Sequence, residues 1–293
     1  MSLTGAGGWG EPPDPAAAKT VLRRAVDLGV QLFDTADSYG PEVSERLLAD
    51  ALYPYSDGVI IATKGGSIRE GPWELHPDGR PAHLRETCES SLRRLRLERI
   101  DLYQLHGLDP AVPLEESVGT LAELQAEGKV RHIGLSNVGP DAIEAARTLV
   151  PIVSVQNEFN VGERRHEDEV IDLCEREGIA YLPWRPIGKG SLSRSRGAFG
   201  RIAAKHGVTP AQVALAWLLA RSPVILPIPG TLSSAHLEEN VAALELELSP
   251  EDLAQLSDYR LSQLDARQLA RRFVPPRLRR VAVTALKLAR RSG

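Results

Sequence analysis

Short apolar runs alternate with longer amphipathic stretches along most of the chain. Runs at 30–34, 58–64, 99–106, 130–135, 152–157, 179–184 and 224–228 have the length and apolar character of strands. Between them, apolar residues recur at three- and four-residue spacing over 16–28, 42–52, 82–96, 114–127, 140–149, 164–177 and 210–221, which predicts helices. Gly29, Gly128 and Gly178 each follow a helical stretch and precede a strand, where a left-handed C-cap is wanted. Thr209-Pro210 and Ser249-Pro250 pair a capping hydroxyl with proline at the first helical position. The alternation predicts βα units around a parallel sheet in one continuous domain, an α/β fold of the TIM-type (β/α)8 barrel class. Only seven strands are counted, whereas closure needs eight. The chain opens on a glycine-rich stretch unsuited to a buried strand, so the first strand is expected to be missing or truncated at the N-terminus. Either the start codon is assigned late or the barrel has open edges.

Bulk properties narrow the function classes. The chain has 293 residues, enough for one barrel domain, with 42% hydrophobic and 25% charged residues. A net charge of -4 carries no nucleic-acid signature. Cys88 and Cys174 fall in helical stretches and read as buried free thiols, which implies a reducing, cytoplasmic setting. No apolar run reaches membrane-spanning length, and Met1 to Gly5 lacks the pattern of a secretory signal. No metal site is expected. From Arg267 to the end the chain carries +9, leaving -13 on the rest. Residues 261–293 are therefore set apart from the 1–260 barrel as a basic extension, helical in pattern beyond Val274-Pro275-Pro276. Such a helix can contact an anionic membrane surface, but a solvated helix against the acidic body is the expected arrangement.

The chemistry-bearing residues gather at strand ends. Asp34 closes the run at 30–34, Lys64 closes that at 58–64 and His106 closes that at 99–106, while Tyr39 stands on the loop after Asp34. Alternation puts Gln104 and His106 on one face of their strand, and parallel neighbours would bring the three ends to one rim with Tyr39 above. In barrels of this class the C-terminal strand ends carry the chemistry. A phenol with an ammonium beside it is a candidate proton donor, because the ammonium favours the phenolate.

With these residues stand the motifs Phe-Asp-Thr-Ala-Asp-Ser-Tyr-Gly at 33–40, Ala-Thr-Lys-Gly-Gly at 62–66 and Asp-Leu-Tyr-Gln-Leu-His at 101–106. Gly-Lys-Val-Arg-His-Ile-Gly-Leu-Ser-Asn at 128–137 and Val-Gln-Asn-Glu-Phe-Asn at 155–160 follow in order. Over roughly residues 5–260 the chain resembles the aldo-keto reductases. The resemblance implies NAD(P)H-dependent reduction of an aldehyde or ketone, with Asp34, Tyr39, Lys64 and His106 as the catalytic set. Tyr39 would be the acid, Lys64 would ease loss of its proton, Asp34 would hold Lys64, and His106 would bond the substrate oxygen.

The resemblance also implies a cofactor track. Ser136, Asn137 and Gln156 match positions that hold the nicotinamide carboxamide, and Trp184 the ring stacked on it. Gly188, Lys189 and Gly190 begin the loop over the pyrophosphate. At the 2′-phosphate the match loosens: Ile228-Pro229-Gly230-Thr231 replaces Ile-Pro-Lys-Ser, and His236 stands in the place of an arginine. Thr231, Ser233 and the helix that follows can still bind phosphate, and Glu239 with Asn240 match the adenine contacts. NADP(H) is the expected cofactor, with NAD(H) also compatible. Trp73, in the long loop 65–81, is a candidate pocket wall, and with His106 a candidate substrate contact, for a small carbonyl compound. A monomer or weak oligomer is expected. Two competing readings stay open: an NADP-binding sensor module with little turnover, and a Schiff-base aldolase using Lys64.

Overall fold

Local signals in the sequence explain where the elements begin and end. The computed structural model describes residues 3–164, 167–188 and 197–262. Helix α1 (Pro15–Asp27) starts at Asp14, whose Oδ1 accepts from the Ala17 N–H at 2.9 Å, and buries Ala18, Val21, Leu22 and Ala25 from one face. It ends at Gly29, whose φ of 81°, like those of Gly128 (78°) and Gly178 (66°), is the left-handed value a cap requires.

Strand β1 (Leu32–Asp34) leads to α2 (Val43–Leu52) and β2 (Ile60–Gly65). The segment after β2, expected as a loop, is an antiparallel hairpin of β3 (Ser67–Gly71) and β4 (Glu74–Pro77) standing off the main sheet. Then come α3 (Pro81–Leu95), β5 (Ile100–Leu105), α4 (Leu114–Ala126), β6 (Val130–Ser136), α5 (Pro140–Arg147), β7 (Ile152–Gln156), α6 (Glu167–Glu177) and β8 (Ala180–Tyr181). Helices α7 (Ala198–His206), α8 (Pro210–Arg221), α9 (Ser234–Ala242) and α10 (Pro250–Ser262) follow. Thr209 and Gln212 form the reciprocal capping box of α8, and Ser249 with Asp252 does the same for α10.

Strands β1, β2, β5, β6, β7 and β8 form one curled parallel sheet in that order, the framework of a (β/α)8-type barrel. The run at 224–228 contributes a bridge from Ile225 to Tyr181 and not a full strand. Pro227 and Pro229 have no N–H to donate to a ladder. Pro183 likewise stops β8 short of the predicted 179–184. Among the described residues β1 pairs only with β2. It shares with Leu226 and Ile228 the lining of a cavity of about 440 Å³ at the place where a closing strand would lie.

The core is split accordingly. A large apolar cluster under β5–β8 contains Leu121, Ile133, Val155, Phe159, Tyr181 and Trp217, while a smaller one joins Leu3, Leu22, Phe33, Leu48 and Ile61 beneath β1. Cys88 and Cys174 are buried free thiols, as expected. No described helix is long and apolar enough to cross a membrane, and no group of metal-ligating side chains occurs among the described residues. The basic extension beyond Ser262, Lys189 and Gly190 lie outside the described residues.

Candidate active site

Parallel registry brings the strand ends together. Asp34 pairs with Ala62 across β1–β2, Lys64 with Gln104 across β2–β5, and the His106 N–H donates to Gly65 O at 2.9 Å. Lys64 Nζ donates to both Asp34 oxygens, at 2.8 and 2.7 Å, and to Thr35 O at 2.9 Å. The pair is sealed from solvent, with side-chain exposures of 0% for Lys64 and 3% for Asp34. Burial acts to raise the Asp34 pKa, but the Lys64 charge and hydrogen bonds from Lys64 and Gln156 outweigh it and hold the carboxyl below its ordinary range. Burial likewise opposes charge on Lys64, and Asp34 with the Tyr39 phenol overcomes it and raises the ammonium. Both partners are therefore ionised.

Two amides complete the carboxylate's surroundings. Gln156 Nε2 and Gln104 Nε2 donate to Asp34 Oδ1 at 2.9 and 3.2 Å. Strand alternation exposed Gln104 as facing the same way as His106, but not that it would bond Asp34. The Tyr39 ring lies over this pair, its centroid 5.2 Å from Lys64 Nζ and 5.8 Å from the His106 ring, edge to face. His106 Nδ1 lies 3.3 Å from Ser38 Oγ. Burial first, then the Lys64 charge, pushes the His106 pKa down to about 3, so the ring is neutral in ordinary buffers.

The Tyr39 loop rests on a buried polar base. Thr63 Oγ1 and Arg94 Nε donate to Glu45 at 2.6 and 2.7 Å, and Asp37 Oδ1 accepts from the Ser38 N–H at 2.6 Å. Burial and the Glu45 charge push the Asp37 pKa up to about 8, so this carboxyl is protonated at neutral pH.

The four residues expected as a set thus converge, with Asp34, Tyr39 and His106 lining one cavity of about 590 Å³ above the buried Lys64. Ser136, Asn137, Gln156, Trp184 and Gly230 line the same cavity. Asn137 donates to His106 O at 2.9 Å and accepts from Trp184 Nε1 at 3.1 Å. It has a φ of 59°, and Arg185 next to Trp184 has one of 54°, a concentration of left-handed side-chain-bearing residues typical of functional loops. Gln156 gives its amide N–H groups to Asp34 and Gln104, leaving Oε1 with no donor among the described residues.

The remaining expected residues spread outward. Thr231 and Asn240 line the cavity beside β1. Ser233 caps α9, its Oγ accepting from the His236 N–H at 3.4 Å, and Glu239 lies further along that helix. Gly188 lies in the turn after Trp184, its N–H donating to Arg185 O at 2.9 Å, with a φ of 55°.

Trp73 stands apart from His106. It occupies the hairpin turn, 75% exposed, and lines a neighbouring cavity of about 400 Å³ outside the one with His106. Its turn lifts it away from the strand ends, and Leu75 and Arg69 take the wall position instead. Arg69, Leu75, Ser38 and Arg185 were not anticipated, since the hairpin that delivers the first two read as loop.

A family model for the aldo/keto reductase family matches residues 2–260. The chain belongs to the aldo/keto reductase family. An oxidoreductase of Schizosaccharomyces pombe, itself uncharacterised, is 47% identical over 92% of this chain and 87% of its own length. Pyridoxine 4-dehydrogenase of Escherichia coli is 46% identical over 87% of this chain and 91% of its own. Among solved aldo/keto reductases, one from Klebsiella pneumoniae in complex with NADP and acetate superposes with a TM-score of 0.76 at 29% identity. That match covers 88% of this chain and 91% of the Klebsiella protein.

Proposed function

We propose that this aldo/keto reductase is an NADP(H)-dependent oxidoreductase that reduces an aldehyde or ketone to an alcohol, with Tyr39 as proton donor. The observation that carries the reading is the Tyr39 ring set over a fully buried Lys64–Asp34 ion pair and edge-on to a neutral His106.

NADP(H), when bound, supplies the hydride. Its nicotinamide end fits the cavity lined by Ser136, Asn137, Gln156 and Trp184, where Gln156 Oε1 is an acceptor suited to a carboxamide N–H. Gly188, Gly230, Thr231, Ser233, His236, Glu239 and Asn240 form the track for the rest, with the capped N-terminus of α9 suited to phosphate.

The side chains divide the proton work. Tyr39 gives its hydroxyl proton to the carbonyl oxygen as negative charge builds there. The Lys64 ammonium stabilises the phenolate left behind, and Asp34 fixes the ammonium in place. In the tautomer where Ser38 Oγ donates to Nδ1, across the 3.3 Å contact between them, neutral His106 carries its proton on Nε2 and hydrogen-bonds the same oxygen. Because His106 stays neutral, it orients the substrate without competing as an acid.

Tyr39→Phe tests the assignment. Consumption of NADPH with a panel of aldehydes should fall by about 10²-fold or more, the usual share of general acid catalysis. Quenching of NADPH fluorescence on binding should persist. A variant that keeps more than about a tenth of the rate would refute the role.

A further inference from the structure

We infer that Arg69 makes this a reductase of carbonyl compounds that also carry a carboxylate or comparable anion, and that it is the residue selecting for that anion. The inference rests on the reductase reading above and adds the substrate class to it.

The charges around the cavity balance except at one point. Asp34 is matched by Lys64 at 2.7 Å, and Arg185 Nη1 by Glu158 Oε1 at 3.0 Å. His106 is neutral. Arg69 is the remaining charged residue among those described that line the cavity, and no carboxylate among the described residues pairs with it; the Tyr39 phenol is its electrostatic neighbour. Bound substrate therefore meets a net positive wall.

Arg69 is also held in place. Nε donates to Ser38 O and Nη1 to Gly7 O, both at 2.8 Å. The guanidinium lies against Gly8, where a side-chain carbon would come within 3.0 Å of its central carbon. Nη2 makes no hydrogen bond among the described residues, so a fixed cation keeps donors to offer. Preorganised guanidinium is the group best matched to carboxylate and phosphate.

Its position suits a substrate already engaged at Tyr39. Tyr39, Arg69, Leu75 and Arg185 line both the main cavity and the neighbouring one of about 400 Å³. Arg69 acts electrostatically on both Tyr39 and His106, the two groups aimed at the carbonyl oxygen. A molecule with its carbonyl there runs past Arg69 into the second cavity, and no described acid stands in that path.

The test compares 3- and 4-formylbenzoate with their methyl esters, which keep the aldehyde and shape but lose the charge. With NADPH, kcat/KM for the better acid should exceed that for its ester by about tenfold, the scale of one charge-assisted hydrogen bond. The acid-to-ester ratio should collapse to near one in Arg69→Gln and stay well above one in Arg69→Lys. Because the ratio is internal to each preparation, loss of folded protein from releasing Gly7 and Ser38 cancels. Equal or better use of the esters by the unmodified enzyme, or an unchanged ratio in Arg69→Gln, overturns the inference while leaving the reductase reading standing. Failure to reduce any of the four compounds while other aldehydes of the panel are turned over overturns this inference alone, and no turnover of any aldehyde removes the reductase reading with it.

Discussion

Replacing Lys64 by methionine probes the feature on which the site depends. The change removes three hydrogen bonds, to Asp34 Oδ1, Asp34 Oδ2 and Thr35 O, and strips the carboxylate of its counter-charge at 3% exposure. Two routes are open to the variant. It can keep Asp34 ionised, supported only by Gln104 and Gln156, at the roughly 3–5 kcal/mol that breaking a buried pair costs. Or Asp34 can take up a proton, which at pH 7 from an ordinary pKa near 4 costs about 4 kcal/mol. The routes agree, so Lys64→Met should lose about 4 kcal/mol at pH 7, far more than the ~1 kcal/mol of a surface pair.

The sign of the pH dependence is fixed as well. In the unmodified protein the Asp34 pKa is lowered, so its stabilisation is present above the unfolded pKa and lost as pH falls through the folded value. In the variant burial, the largest influence, is opposed chiefly by the glutamine hydrogen bonds and raises it, so the penalty shrinks toward pH 4. The gap in stability between the two proteins should therefore be widest near neutrality and close on acidification. Urea unfolding followed by circular dichroism at pH 5 and pH 7 reads both quantities. Asp34→Asn combined with Lys64→Met leaves no buried charge and should restore most of the stability without restoring turnover. A loss below 1 kcal/mol for Lys64→Met, independent of pH, would show that the pair is not buried as described.

Asp37→Asn should stabilise the protein. Its folded pKa of about 8 lies above the unfolded value, so its contribution is full below about pH 4 and is lost as pH rises toward 8. The gain in urea midpoint should be larger at pH 8 than at pH 5, by roughly 2–4 kcal/mol in stability, and a gain equal at both would mean Asp37 is not the titrating group. Gly134→Ala places a methyl 2.2 Å from Ser154 Oγ and 2.9 Å from Gln104 Cγ, displacing the amide that supports Asp34. We expect a loss of about 1–3 kcal/mol from overpacking, with kcat falling more than KM; unchanged melting and kinetics would mean that Ser154 and Gln104 yield freely.

The parts of the site that could be read from the chain are those held by strand alternation and motif. Asp34, Lys64 and His106 follow from where three apolar runs end, and Tyr39 from its place on the next loop. Ser136, Asn137, Gln156 and Trp184 required the family resemblance, because their grouping depends on registry between β6 and β7 and on a loop conformation with Asn137 at positive φ. Arg69 escaped because β3 and β4 are five and four residues long, joined through Gly71-Pro72, and pack outside the main sheet. Strand length was overstated where proline intervenes, at Pro183 and across 227–229. Helix α9 lacks a long apolar face, burying only Leu237, so its Ser233 cap was visible while its extent was not.

The same geometry weighs on the chemistries that the sequence left open. A Schiff base needs a neutral amine that a carbonyl carbon can reach. Lys64 offers neither: its Nζ is spent on three acceptors, its side chain is fully buried, and its surroundings raise its pKa. Freeing its lone pair would require deprotonating it beside an ionised Asp34, leaving that carboxylate buried without a cation. Its charge instead acts on the two groups beside it that line the cavity, keeping His106 neutral and favouring loss of the Tyr39 proton. Asp34 and Lys64 neutralise one another and His106 is held neutral, an arrangement that favours the proposed role of Tyr39 as proton donor. A site meant only to sense cofactor has less use for an ion pair that is costly to bury and whose cation bears on Tyr39 and His106, two groups lining the cavity.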